Sequence, residues 1–255
     1  EACGSLPIAL LFGADTLAGI DDLPQPFWRK ELIRAFWKWN YQQQLSVTRR
    51  SLTFVNSELL FKQLQGKVPN LVETRTTTLL QNEFYYRSDT CQKRPIHILY
   101  TGRMDRTKGL LDILEAVNIL VNNGEDLVFD LVGPAEKNDA IVEELKKLAS
   151  TYNIVDRIVF HGYQSLGPAL FSFYRQADIY IIASQASEGF PRTIWEAFSQ
   201  GVPVIATSVG SIPYYLQNEI DALIASPKSP AELASLIKRL ISEPDLRKRL
   251  IANGY

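Results

Sequence analysis

The chain has 255 residues, 46% of them hydrophobic and 22% charged, with a formal net charge of −1. This is an ordinary globular composition with core enough for one or two domains. A charge so close to zero builds no field that gathers nucleic acid, two cysteines (Cys3 and Cys91) form no metal spacing or disulfide framework, and no apolar run approaches the roughly 18 residues of a membrane span.

Glu1–Ser5 lacks the charged and apolar regions of a signal peptide, so a reducing cytoplasm is the expected location. Leu6–Gly13 reads as a strand and Asp21–Pro26 as a loop. Phe27–Leu45 has a helical pattern. At about 100° per residue, Leu32, Phe36 and Trp39 share one face, and Lys30, Arg34, Trp37, Lys38 and Tyr41 share the other. That basic and aromatic face fits either a solvated surface with two rings packed on a neighbour, or contact through residues 27–41 with an anionic membrane or an acidic acceptor. Ser51–Asn56 reads as a strand, and Ser57 caps a helix expected over Glu58–Gln65. Gln81–Pro95 reads as a linker, ending where Arg94 precedes Pro95.

From residue 95 strands and helices alternate. Strands are expected at Ile96–Tyr100, Leu127–Val132, Ile158–His161, Asp178–Ala183, Val202–Ala206 and Ala222–Ile224. Helices are expected at Leu110–Asn122, Glu136–Thr151, Leu166–Gln176, Thr193–Ser199 and Ala231–Ser242, the last opened by a capping box, Ser229-Pro230-Ala231-Glu232. Repeated β–α units predict a parallel sheet covered on both faces. His97 and His161 are the only histidines; both lie in or beside strand-like runs, where structural roles are expected.

Two strand-to-helix turns carry the chemistry. After the strand at 96–100 comes Thr101-Gly102-Arg103-Met104-Asp105-Arg106-Thr107-Lys108-Gly109. Gly102 permits a tight exit. Arg103 as a fork and Lys108 as a point charge suit a diphosphate, if they converge at the sheet's carboxyl edge; alone they also read as two solvated cations. After the strand at 178–183 comes Ser187-Glu188-Gly189-Phe190-Pro191-Arg192-Thr193-Ile194-Trp195-Glu196. A helix start there offers free N–H groups to an anion. Taken singly, Glu188 reads as a favourable charge before a helix, and Glu196 as a solvated helical residue.

The second stretch resembles the signature of family 4 glycosyltransferases of the GT-B fold: a Glu, then Gly-Phe-Pro, and a second Glu, followed here by Gly201-Val202-Pro203-Val204. The Gly-Arg…Lys-Gly pattern at Gly102–Gly109 resembles the same family. The resemblance implies an α/β fold of two Rossmann-like domains. Residues 1–94 would be a partial N-terminal, acceptor-side domain and linker, and 95–255 a doubly wound nucleotide-sugar-binding domain with a parallel sheet. It implies a retaining, metal-independent hexosyltransferase that moves a sugar from a nucleotide-sugar donor, UDP-linked as is common in the family, to a glycan or lipid-linked acceptor, as in polysaccharide biosynthesis. No metal or other cofactor is expected, since no Asp-x-Asp triplet has a metal-site context. Arg103, Lys108 and Glu188 would be catalytic. Gly102, Gly133, Gly162, Tyr163, Gly189, Phe190, Pro191, Arg192, Thr193 and Glu196 would bind the donor, Glu196 through the ribose hydroxyls. Retention rests on the resemblance, because the sequence shows no carboxylate nucleophile.

The sequence also departs from the family. Relatives read Gly-Gly-Ile-Pro-Glu where this chain has Gly210-Ser211-Ile212-Pro213-Tyr214. Their first domain is longer, with a Gly-rich loop and a His that this chain lacks before His97, and they continue past the position of Tyr255. A truncated chain or dropped segments are expected. A sugar-nucleotide-binding module without activity, or a GT-B epimerase or phosphorylase, are the competing readings. The expected location is the cytoplasm, with residues 27–41 as the candidate contact to the inner membrane face.

Overall fold

The computed structural model describes residues 8–12, 20, 25–56, 58–74, 79–135, 140–186 and 189–255. The chain divides into two units, one made of residues 1–76, 186–190 and 209–215, the other of 77–185, 191–208 and 216–255.

The first unit contains β1 (Ala9–Phe12), α1 (Phe27–Thr48), β2 (Leu52–Val55), α2 (Glu58–Leu64) and β3 (Leu71–Glu73). The strands form a parallel sheet in the order β1-β2-β3. Its core is small: Phe12, Val55, Leu60, Leu64 and Val68, with Tyr41 and Leu45 of α1 leaning on it. Tyr41 meets Phe12 edge-on at 6.5 Å. For α1 this agrees with the reading in which rings of its basic and aromatic face pack on a neighbour. Its Leu32, Phe36 and Trp39 face stands open, with Leu32 63% and Trp39 61% exposed, and the mixed basic and aromatic face supplies the ring that reaches the core. β3 is not visible in the sequence pattern, because three residues are too short to show alternation.

The second unit carries β4 (Ile96–Thr101), α3 (Leu110–Asn122), β5 (Leu127–Val132), α4 (Ile141–Thr151), β6 (Ile158–Gly162), α5 (Pro168–Gln176), β7 (Ile179–Ile182), α6 (Arg192–Ser199) and β8 (Val204–Thr207). After the short α7 (Ile212–Tyr215), which groups with the first unit, come β9 (Leu223–Ala225), α8 (Pro230–Ser242) and α9 (Pro244–Gly254). All strand pairs are parallel, in the order β6-β5-β4-β7-β8-β9. Numbered within the sheet this is 3-2-1-4-5-6, the doubly wound Rossmann order, whose direction reverses between β4 and β7. Every residue of β7 and β8 is buried, which explains their unbroken apolar runs. α3 packs on α8 and α4, and α5 packs on α6. Each fully buried Leu, Ile or Val stabilises the unit by roughly 1.5–3 kcal/mol, and this core is far larger than that of the first unit.

Several details differ from the sequence expectation. α4 begins at Ile141; Glu136 and the three residues after it lie outside the described residues. Ser229 makes no capping bond. Glu232 instead accepts from the Ser226 amide at 2.9 Å, so the expected capping box is absent and Pro230 alone marks the helix start. The expected linker, Gln81–Pro95, is bound to the second unit. The Tyr85 amide donates to the Ser199 carbonyl at 2.8 Å, Gln200 Nε2 donates to the Glu83 carbonyl at 2.6 Å, and Phe84 and Tyr86 meet Tyr255 edge-on. Cys91 is a free thiol whose pKa burial pushes up to about 11; Cys3 lies outside the described residues.

Candidate active site

The carboxyl ends of β4, β5 and β6 are joined through glycines. The Gly102 amide donates to the Val132 carbonyl at 2.9 Å, and the Gly133 amide to the Gly162 carbonyl at 2.8 Å. A Cβ on Gly133 would lie 1.9 Å from the Gly102 carbonyl oxygen, so the two turns approach as closely as backbone allows. The sequence singled out all three glycines; the structure brings them side by side.

At the switch point the turn after β4 meets the turn after β7. Gly109, at φ +65°, starts α3 so close to β7 that a Cβ would stand 2.0 Å from the Ala183 carbonyl oxygen. The Gln185 amide donates to the Thr107 carbonyl at 2.7 Å, and its side chain donates to Asp112 on α3 at 2.6 Å. Thr207 at the end of β8 donates to the Ser184 carbonyl at 2.7 Å. The ends of β4, β7 and β8 are thereby tied together at the switch point, where doubly wound sheets bind ligands.

Arg103 and Lys108 both belong to the β4 turn. Arg103 is 64% exposed, with its guanidinium 3.6 Å from Asp105. Lys108 is half-buried at the end of a 3-10 turn that Asp105 caps by accepting from the Thr107 amide at 2.9 Å. The two cations share the loop, but each is oriented by its own surroundings.

Glu196 is not the solvated helical residue that its position in α6 suggests: it is only 3% exposed. Tyr174 donates to its Oε2 at 2.8 Å, and Arg192 Nε lies 3.3 Å from Oε1. Burial pushes the Glu196 pKa up, against the pull of Tyr174 and Arg192. With that proton committed to Glu196, the Tyr174 hydroxyl accepts from Thr101 Oγ1 at 2.5 Å, and burial raises its phenol well above the ordinary range. This buried chain, from Thr101 on β4 through Tyr174 on α5 to Glu196 on α6, was not read from the sequence. Its signal was a tyrosine at a core position, since a buried phenol needs a hydrogen-bond partner. Thr193 Oγ1, in the first turn of α6, is buried and has no partner among the described residues.

The remaining candidates are spread out. Pro191 sits at the N-cap of α6. Tyr163, 71% exposed, follows β6. Gly189 and Phe190 group with the first unit, where Phe190 meets Tyr215 edge-on at 5.0 Å. Glu188 lies outside the described residues. The residues that depart from the family pattern also group there: Ser211 is buried with its hydroxyl unpaired among the described residues, and Tyr214 lies under the Lys62 ammonium at 4.8 Å.

The histidines are structural, as expected, and share one partner. His97 Nδ1 and His161 Nε2 each lie 2.7 Å from a different oxygen of the buried Asp130. No group of three or more metal-ligating side chains occurs among the described residues.

A doubly wound unit of this strand order, with glycine-bound turns at its switch point, has the architecture of one Rossmann-like half of a GT-B fold. Residues 83–255 match the family described as glycosyl transferases group 1, and the chain belongs to that family. It is 31% identical over 162 residues to the D-inositol 3-phosphate glycosyltransferase of Thermomonospora curvata, covering 62% of this chain and 37% of that protein. It superposes on the C-terminal domain of a glycosyl transferase group 1 family protein from Francisella tularensis with a TM-score of 0.62 and 26% identity, covering 69% of this chain and 94% of that one. A protein from Anabaena crystallised with UDP and glucose matches with a TM-score of 0.77 over 97% of this chain and 65% of its own, at 19% identity, a likeness of fold. The fold is GT-B, and the chain spans well under half the length of the curated relatives it matches.

Proposed function

We propose that this chain is the donor-binding part of a retaining, metal-independent glycosyltransferase that takes a sugar from a UDP-sugar to a glycan or lipid-linked acceptor. The observation that carries the proposal is the closure of the switch point, where Gly109 packs on Ala183 and Gln185 is bonded to Thr107. Those contacts hold Thr107 and Gly109, in the loop that bears Arg103 and Lys108, against Ala183 and Gln185 at the end of β7.

In this reading Arg103 and Lys108 neutralise the diphosphate as the glycosidic bond breaks, with the amides at the start of α6. Such pre-aimed charge is worth most at a leaving group that gains charge, and it supplies what a metal ion would otherwise supply. Gly102 and Gly133 let backbone approach the phosphates, and Gly162 and Tyr163 flank the base. Glu196 holds the ribose: among the described residues its Oε1 faces the half-exposed Arg192 at 3.3 Å, a contact that a ribose hydroxyl can replace. The unpaired Thr193 hydroxyl is a further group for a donor atom. Glu188, Gly189 and Phe190 would contact the sugar. The UDP and glucose held by the Anabaena protein support the choice of donor. α1 would lie on an anionic membrane at the cytoplasmic face, with Trp28, Leu32, Phe36 and Trp39 exposed and Arg29 and Lys38 among them in the same helix; sedimentation with anionic and with neutral vesicles tests that contact.

The test of the main reading is Arg103→Ala combined with Lys108→Ala. Sugar transfer or donor hydrolysis should fall about 100- to 1,000-fold, as when a pre-aimed charge or donor is removed, with the melting temperature held. Turnover equal to the parent's would overturn the diphosphate assignment.

A further inference from the structure

A cavity of about 460 Å³ opens at the amino edge of the second unit's sheet, around the starts of β4 and β7. This is the opposite edge from the proposed donor site. The six residues of β4 separate the two by roughly 17–20 Å. The volume falls in the range of small-molecule sites, about 300–1,000 Å³.

Arg87, Lys93, Arg94 and Arg175 line the cavity, against two carboxylates, Asp89 and Asp178. Four cations less two anions leave two positive charges in surplus. Both carboxylates are engaged elsewhere: Asp89 accepts from Arg247 at 2.6 and 3.1 Å, and Asp178 from the amides of Cys91 at 2.6 Å and His97 at 3.0 Å. Arg87 fills its fork with backbone carbonyls, those of Arg175, Tyr174 and Ala177 among them. Lys93 and Arg94 are exposed at the rim, and Arg94 reaches Glu125 only at 3.8 Å. An ammonium and a guanidinium from consecutive rim residues, lining one cavity with Arg87 and Arg175, match a doubly charged phosphate better than a single carboxylate.

We infer that this cavity binds a small phosphorylated metabolite at a site separate from the sugar-nucleotide donor. The site is formed by the segment at residues 87–95 and the end of α5.

The experiment is calorimetric titration with inorganic pyrophosphate at about 0.15 M salt, where loose surface binding is screened. It compares the parent protein, the donor-loop variant Arg103→Ala/Lys108→Ala, and Lys93→Gln/Arg94→Gln. The donor-loop variant should still bind pyrophosphate. Lys93→Gln/Arg94→Gln should lose that binding by about tenfold or more, the worth of a charge-assisted contact, while UDP affinity stays at the parent value. Loss of all pyrophosphate binding in the donor-loop variant would overturn the inference, and so would unchanged affinity in Lys93→Gln/Arg94→Gln. Should the double substitution lower the melting temperature, Lys93→Gln alone decides, since that side chain is exposed: weakened binding supports the site, and parental affinity overturns it.

Discussion

The Tyr174 hydroxyl donates to the Glu196 carboxylate at 2.8 Å in a part of the second unit closed to water. Burial alone would favour a neutral Glu196, and the phenol opposes that by bonding the charged form. Tyr174→Phe keeps the ring and removes the bond. It should cost about 1–3 kcal/mol, the range for stranding a buried acceptor. Tyr180→Phe is the comparison: its hydroxyl lies 3.4 and 3.5 Å from Thr101, so that variant reads the general cost of losing a buried phenol, and Tyr174→Phe should cost more. Urea midpoints of the two variants decide it; equal losses would show that the Glu196 bond carries no special weight.

The approach of Gly109 to Ala183 gives a second prediction. Gly109→Ala puts a Cβ against backbone at 2.0 Å with φ at +65°, so α3 must shift away from the switch point. The loss should exceed 3 kcal/mol, roughly a strained φ plus displaced packing, and nucleotide affinity should fall with it. Gly124→Ala separates the clash from the strain. Its φ is +86° but nothing lies within 4 Å, so it should lose only about 1–2 kcal/mol, with nucleotide affinity intact.

These contacts show how far the sequence could be read. The alternation of strands and helices after residue 95 was legible because β7 and β8 are buried on both faces, and α3 runs over Leu110–Asn122 as its periodicity predicts. Gly102, Gly133 and Gly162 were legible as turn residues: all three take positive φ, and at Gly133 a Cβ would also strike the Gly102 carbonyl. What could not be read depends on partners distant in sequence. Glu196 looks like a surface residue until Tyr174 is seen above it. Gln81–Pro95 looks like a free linker, because its apolar residues are few and its polar ones are bound by Ser199, Gln200 and Arg247. Periodicity divides α1 into two stripes, and it does not tell which stripe is covered.

Asp130 bridges both histidines of the chain, and His97 gives the pH prediction. The hydrogen bond that His97 donates to Asp130 raises the His97 pKa; burial lowers it by less, and the charges of Asp130 and Asp178 add to the rise. A histidine raised in the folded state stabilises fully below its unfolded pKa of about 6.5, and that contribution is lost as pH climbs through the folded value. His97→Gln stays neutral throughout. The gap between the melting temperatures of parent and variant should therefore be largest near about pH 5.5 and narrow to a constant by about pH 8.5. Since the His97 side chain is 39% exposed, solvent screening keeps the gap small. A gap that widened with pH would contradict the assignment.

Arg247 fixes α9 to the segment before β4. It is 3% exposed, forks onto Asp89 at 2.6 and 3.1 Å and donates to the Leu240 carbonyl at 2.6 Å. Burial works against the Asp89 charge, yet the Arg247 fork and the Thr90 amide hold its pKa below the ordinary value. Arg247→Leu leaves that carboxylate unpaired and should cost about 3–5 kcal/mol, as breaking one side of a buried pair does. Arg247→Leu with Asp89→Asn removes the stranded charge and should recover part of the loss. The measurement is a double-mutant cycle in urea, with Asp89→Asn as its fourth corner. A double variant as unstable as the sum of the two single variants would mean that the pair has no coupling, and that α9 is held by Leu246, Leu250 and Ile251 alone.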